Sequence, residues 1–184
     1  MDEKLLTAVL LAVFVIVLFS LVGRAWLRRT RQAEESGSLP VLPADIEDRE
    51  PTAVIPGMYV ATCRHRDHLQ RLMAHNLGLR TSATVFIYPD GVLYDRDGAD
   101  ALWVDAAAVV DHGTTSGMVG KFVERDGIVV VSWRFHDQVV DTGMRTKTRE
   151  GKTEFLEALS TLVADQTQSA SAESTPAPST KETP

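Results

Sequence analysis

Cys63, His65, Asp67 and His68 fall within one six-residue stretch, and His75 follows seven residues later. Cysteine thiolate, imidazole and carboxylate are the ligand types zinc takes. The spacing, however, matches no standard zinc pattern, and the intervening Arg64 and Arg66 add positive charge where a cation would sit. The plainer reading is a polar junction between a strand and a helix, and no metal ligand or cofactor is assigned. A second stretch, Gly113-Thr-Thr-Ser-Gly-Met-Val-Gly-Lys121, invites a phosphate-loop reading. That motif needs a glycine five positions before Gly120 and a hydroxyl residue after Lys121, but Thr115 and Phe122 stand there. Thr114, Thr115, Ser116 and Lys121 are better read as a flexible inter-strand loop, a candidate partner-binding edge. Third, Arg145, Lys147 and Arg149 alternate along a strand end, which puts them on one face. They form a candidate anionic-lipid patch worth about 1 kcal/mol per basic residue near a membrane surface. Asp141, Glu150 and Glu154 dilute it, and a solvated face is the competing reading. No G-x-S-x-G elbow occurs, so no catalytic residue is assigned and the chain reads as non-enzymatic.

The elements that would position these residues are unlike one another. Leu5 to Val22 carries no charge. Eighteen helical residues span roughly 27 Å, close to a hydrocarbon core of about 30 Å. A cleaved signal peptide would show a basic start and a small-residue cleavage site, whereas this chain starts Met-Asp-Glu-Lys. Arg24, Arg28, Arg29 and Arg31 follow the run, and the positive-inside rule puts them in the cytoplasm, with Trp26 at the interface. The expectation is a single-pass protein of the inner (cytoplasmic) membrane, N-terminus outside, with the rest of the chain in the cytoplasm. The single cysteine, Cys63, suits that compartment.

Of the formal charge of −6, residues 1–31 carry +3 and residues 32–56 carry −5. An acidic balance argues against a nucleic-acid partner. Residues 32–56 hold four prolines and no sustained period, and read as an extended linker. Residues 167–184, rich in Ser, Thr, Ala and Pro, read as a disordered tail. Between them, 57–166 has the size of one domain. Gly57 to Cys63 reads as a first strand. Leu69, Leu72 and Met73 show helical spacing, so 67–75 reads as a helix. Thr81–Tyr88 and Val92–Tyr94 read as strands about a Pro-Asp-Gly turn, and Leu102–Val104 as another. Residues 105–110 fit a helical turn or a strand. Lys121–Glu124 and Ile128–Phe135 flank Asp126-Gly127 and read as a hairpin. Val139–Arg145 follows a turn at His136-Asp137. Phe155, Leu156, Leu159, Leu162 and Val163 form the apolar stripe of a closing helix. Trp103 and Trp133 are expected in the core. The fold class is mainly β (α+β), an antiparallel barrel or sandwich closed by an amphipathic C-terminal helix.

Several phrases carry a resemblance: Ala74-His-Asn-Leu-Gly-Leu-Arg-Thr-Ser-Ala-Thr-Val85, Asp90-Gly-Val-Leu93, Leu102-Trp-Val104, Gly120 to Gly127, Val131-Ser-Trp-Arg134 and Asp141-Thr-Gly-Met-Arg145. With the leading span they make the chain similar to actinobacterial single-span membrane proteins that carry a cytoplasmic pleckstrin-homology-like (PH-like) domain. The resemblance implies a PH-like barrel and no catalytic residues. Members are often encoded among pyrimidine-biosynthesis genes, which implies pyrimidine-pathway enzymes as partners. Loose transporter labels in the family do not suit one span and one small domain. The expected function is a membrane-tethered adaptor that recruits a protein partner. The alternatives are an anionic-lipid sensor and an accessory subunit of a transporter or pyrimidine-enzyme complex.

Overall fold

The computed structural model describes residues 16, 17, 19, 20 and 38–173. The expected span and its flank (Arg24, Trp26, Arg28, Arg29, Arg31) lie almost wholly outside these residues. Among the described residues no helix is long and apolar enough to cross a membrane. Residues 39–184 form one compact unit and 1–38 another.

Among the described residues the larger unit holds ten strands and one long helix: β1 (Ala53–Arg64), β2 (Asp67–Arg71), β3 (Thr81–Tyr88), β4 (Gly91–Arg96), β5 (Leu102–Asp105), β6 (Val109–Thr115), β7 (Gly117–Met118), β8 (Lys121–Phe122), β9 (Ile128–Phe135), β10 (Gln138–Thr146) and α1 (Arg149–Glu173). The main sheet is antiparallel throughout, in the order β5-β4-β3-β1-β10-β9-β6. It does not close. Its two edges, β5 and β6, are joined through a short 3-10 turn (Ala106–Ala108), and α1 packs on that turn and on β1, β6, β9 and β10. The mainly β, helix-capped class is as expected, but the barrel is open between its edge strands.

β1 holds the two halves together. It pairs with β3 from Ala53 to Tyr59 and with β10 from Gly57 to Arg64, with a bulge between Tyr59 and Ala61. Where β3 leaves, the vacated edge of β1 is taken by β2, through Cys63↔Arg71 and Arg64↔Asp67. Backbone N–H and C=O groups on a sheet need partners, and this pairing overrides the helical spacing of Leu69, Leu72 and Met73. The 67–75 stretch is therefore a strand and a short 3-10 turn, not a helix, and Leu69 and Met73 are 75% and 67% exposed.

Inside the sheet runs a chain of buried hydrogen bonds. Trp133 Nε1–H donates to Thr142 Oγ1 at 2.8 Å. Thr142 and Thr62 hydroxyls meet at 2.7 Å, Thr62 and Tyr59 hydroxyls at 2.6 Å, and Tyr59 OH donates to the Leu77 carbonyl at 3.1 Å. An indole N–H only donates and a carbonyl only accepts. The direction of the whole relay is thereby fixed: each hydroxyl accepts from one neighbour and donates to the next. Around it pack Val85, Tyr94, Val131, Phe135 and Met144, sealed by Phe155, Leu159 and Leu162 of α1.

Four further features depart from the sequence reading. Ordered chain begins before Gly57: β1 starts at Ala53, Leu39 packs against the core, and Ile46 is buried with Tyr88, Leu93 and Trp103 on the outer face of β3–β5. Trp103 thus belongs to this outer cluster, while Trp133 fills the main core. Lys121–Phe122 pairs with Gly117–Met118 rather than with β9, because β9 already has β6 and β10 on its two sides. At the other end α1 continues to Glu173, beyond the expected start of the tail.

The relay makes a definite prediction. Thr142→Val keeps shape but leaves the Trp133 N–H and one Thr62 bond unmade in a dry core. The expected cost is about 1–3 kcal/mol, read as a lower urea midpoint with unchanged slope. An unchanged midpoint would show that the relay carries no net stability.

Candidate functional site

Two grooves flank one segment, Phe122 to Gly127. On one side, Arg145, Lys147, Arg149 and Lys152 line a groove of about 660 Å³ together with Glu124 and Arg125. The sequence placed Arg145, Lys147 and Arg149 together, and the structure does bring them into one groove. Arg125 and Lys152 complete it. The lining includes five cations and one carboxylate, in a chain whose net charge is −6. Position follows from β10 ending at Thr146 and α1 starting at Arg149, with Thr148 Oγ1 accepting the Gly151 N–H at 3.0 Å as a cap.

The cations in this groove are not equivalent. Arg145 Nη2 donates to both carboxylate oxygens of Glu124, at 3.2 and 2.9 Å. The Lys152 ammonium donates to the Asp126 carbonyl at 3.1 Å. Lys147 and Arg149 have no ion pair or side-chain hydrogen bond among the described residues. Glu124 is held below the usual carboxylate range by its own backbone N–H and by Arg145. Gly127 lets it sit there, since a Cβ on Gly127 would meet Glu124 Cδ at 2.8 Å.

On the other side, a groove of about 520 Å³ is lined by Thr114, Thr115 and Ser116, by His68 and Leu69 of β2, and by Met118 and Phe122. Phe122 is 89% exposed and Leu69 75%. Thr114, Thr115 and Ser116 therefore do meet at one surface, but as a structured rim rather than a flexible loop. Ser116 Oγ accepts the Asp126 N–H at 3.0 Å, and Val119 N–H donates to the His68 carbonyl at 2.7 Å. The backbone of Lys121 pairs with Met118 beside this groove. At the hairpin tip Val119 adopts φ 58°, a left-handed conformation that a β-branched residue resists.

Behind β2 sits Asp141, its side chain 4% exposed, with four donors on its two oxygens. Oδ1 receives His65 Nδ1 at 2.8 Å and the Ser132 hydroxyl at 2.7 Å. Oδ2 receives the Arg66 N–H and His68 Nε2, both at 3.1 Å. A carboxylate only accepts, so His65 carries a proton on Nδ1 and His68 one on Nε2. Burial raises the Asp141 pKa, but the bonds from His65, Ser132 and Arg66 outweigh it and hold the carboxyl below its usual range. This is not a nucleophile–base pair: the serine hydroxyl binds the carboxylate rather than an imidazole. Cys63 is pushed up to about 11 by burial and by Asp141, so it stays a thiol, its S–H pointing to the His68 carbonyl. Among the described residues no group of three or more His, Cys, Asp or Glu is arranged to hold a metal ion. His65 and His68 of the original cluster do come together, but around Asp141. His75 lies in the left-handed 3-10 turn instead.

Sequence reasoning missed Asp141, which lies 73–76 residues from its histidines and carries no local pattern. It also missed Leu69 and Phe122 as surface residues, because one fitted a helical stripe and the other a hairpin with β9.

Asp141→Asn tests the hub. The folded-state pKa is depressed, so the carboxylate's stabilisation is full above the unfolded value of 3.8 and is lost as pH falls through the folded one. At pH 7 the variant is expected to lose about 1.5–3 kcal/mol. In urea titrations the gap to wild type shrinks as pH drops below 3.8. A gap as large at pH 3 as at pH 7 would show that the charge is irrelevant.

No curated protein sequence matches the chain. A family model does: the one described as bacterial PH domain-like matches residues 36–160, and its span includes the early start of the ordered chain, the whole sheet and the first part of α1. With two thirds of the chain so matched, a meander of antiparallel strands and one capping helix, the protein belongs to the bacterial PH domain-like family.

Proposed function

We propose that this protein is a non-enzymatic, membrane-tethered adaptor whose PH-like domain recruits a protein partner at the cytoplasmic face. The observation that carries the reading is the groove beside β2. Leu69 and Phe122 are large apolar side chains left mostly in water on a surface that also presents Thr114, Thr115 and Ser116. Apolar side chains exposed together mark contact sites. A domain that presents such surfaces fits a binding role. The tether would hold the domain close to membrane-associated partners, so a weak contact could suffice. Pyrimidine-pathway enzymes are the first partners to test, and an accessory role in a transporter complex is the next.

Crosslinking of tagged full-length protein in membranes, followed by mass spectrometry, is expected to enrich a protein that a span-only control does not. Failure to enrich any protein dependent on the domain would overturn the adaptor reading.

The second reading, an anionic-lipid sensor, has one observation in its favour: Arg145, Lys147 and Arg149 share a groove with Lys152 and Arg125. Residues 39–184, the compact unit, are then expected to float with phosphatidylglycerol vesicles at low salt and to lose binding in the triple charge-reversal variant. Binding that survives both high salt and charge reversal would remove that groove as a lipid site.

A further inference from the structure

We infer that the two grooves are one docking surface, and that its occupant is an extended protein segment pairing an apolar side chain with a run of acidic residues. The inference rests on the adaptor reading and names the chemistry of the partner.

The grooves share a wall. Phe122 and Asp126 line the apolar groove, whereas Glu124, Arg125 and Gly127 of the same segment line the basic one. A partner that seats an apolar side chain against Leu69 and Phe122 therefore has cations immediately across the ridge formed by this segment. Two of them, Lys147 and Arg149, are unpaired among the described residues. Interfaces have this composition, an apolar centre with a polar rim. The groove already displays the ligand chemistry it takes. Glu124 lies on Arg145 with both oxygens engaged, as a partner carboxylate would lie. The pair is largely exposed, at 41% and 61%, so it is weakly held and open to exchange. Glu124 is thus an internal stand-in that a partner's acidic residue displaces.

Shape favours a peptide over a bilayer. The ridge between the grooves carries Arg125, 95% exposed and 3.8 Å from Asp126, beside Glu124 on Arg145, so its charges largely cancel. Lys147 and Arg149 lie in the concavity behind it, away from a flat surface. An extended segment enters the concavities on either side, whose combined size suits several residues.

The test places the photocrosslinking residue p-benzoylphenylalanine at position 122 of the full-length, membrane-embedded protein and maps the crosslinked site by mass spectrometry. The expected site is a protein segment with acidic residues within a few positions of the captured side chain. Lys147→Glu with Arg149→Glu is expected to cut the yield on the order of tenfold, and Glu124→Gln to raise it severalfold. Leu69→Ser lowers it without altering the fold, checked by an unchanged urea midpoint. A crosslink to lipid, to a segment without acidic residues, or one unchanged by both charge variants overturns the inference. No crosslink at position 122 also overturns it. If a domain-dependent partner is still captured by general crosslinking, the adaptor reading survives and only this surface falls.

Discussion

The relay from Trp133 through Thr142, Thr62 and Tyr59 to the Leu77 carbonyl is the constraint on which the rest of the molecule depends. It ties β9, β10, β1 and the loop before β3 in one buried line. Each member is fully or almost fully buried, so an unmade bond would go uncompensated by water. The relay lies on the stretch of β1 where the strand changes partners, and Tyr59 and Thr62 bracket the bulge. Arg96 reinforces the same point. Its guanidinium stands 5.0 Å from the Tyr59 ring and donates to the carbonyls of His75, Asn76 and Asp100. A charge buried to 2% exposure with no carboxylate partner is costly. What it achieves is to hold two consecutive left-handed residues, His75 and Asn76, in place beneath Leu77.

The functional face is hung from the second half of β1. Because β3 departs at Tyr59, an edge is left for β2, and the tight turn at His65 and Arg66 brings both histidines onto Asp141. β2 in turn holds the β7–β8 hairpin through the Val119 N–H on the His68 carbonyl. One carboxylate and one strand thus position both Leu69 and the hairpin that carries Phe122. The two kinds of electrostatic contact differ in consequence. Asp141 is buried and accepts four bonds, so it fixes geometry. The Arg145–Glu124 pair is exposed and screened by solvent, so it can rearrange at little cost to the fold.

Elements with strong local signals were legible in the sequence. The apolar stripe of α1, the Pro89-Asp90-Gly91 turn and the β9–β10 turn at His136-Asp137 all stand where pattern and turn chemistry put them. The failures share a cause: each was decided by a partner distant in sequence. Residues 67–75 have helical spacing, but an empty sheet edge needed pairing. The Asp126-Gly127 dipeptide has the composition of a hairpin turn, but β9 was fully paired already. Ile46 is a single apolar residue among acids, without period, and only the outer face of β3–β5 reveals what it covers. The same holds at the site. Alternation along an expected strand grouped Arg145, Lys147 and Arg149, and they do share a groove. But β10 ends at Thr146 and Arg149 opens α1, so the junction of those two elements and not a strand face brings them together. Asp141 had no neighbour in the sequence to betray its role.

Stability and recognition are thus separated in space and in chemistry. The core side of the sheet is closed by α1, dry, and hydrogen-bonded through a relay with a single direction. The outer side at β2, β7 and β8 carries apolar side chains in water and a left-handed valine at the hairpin tip. Sequences that fold well seldom retain such features without use. Strain and exposed apolar area in one place, supported from behind by a satisfied carboxylate, describe a surface kept ready for contact. On the adaptor reading proposed above, that surface is the place where a partner would seat.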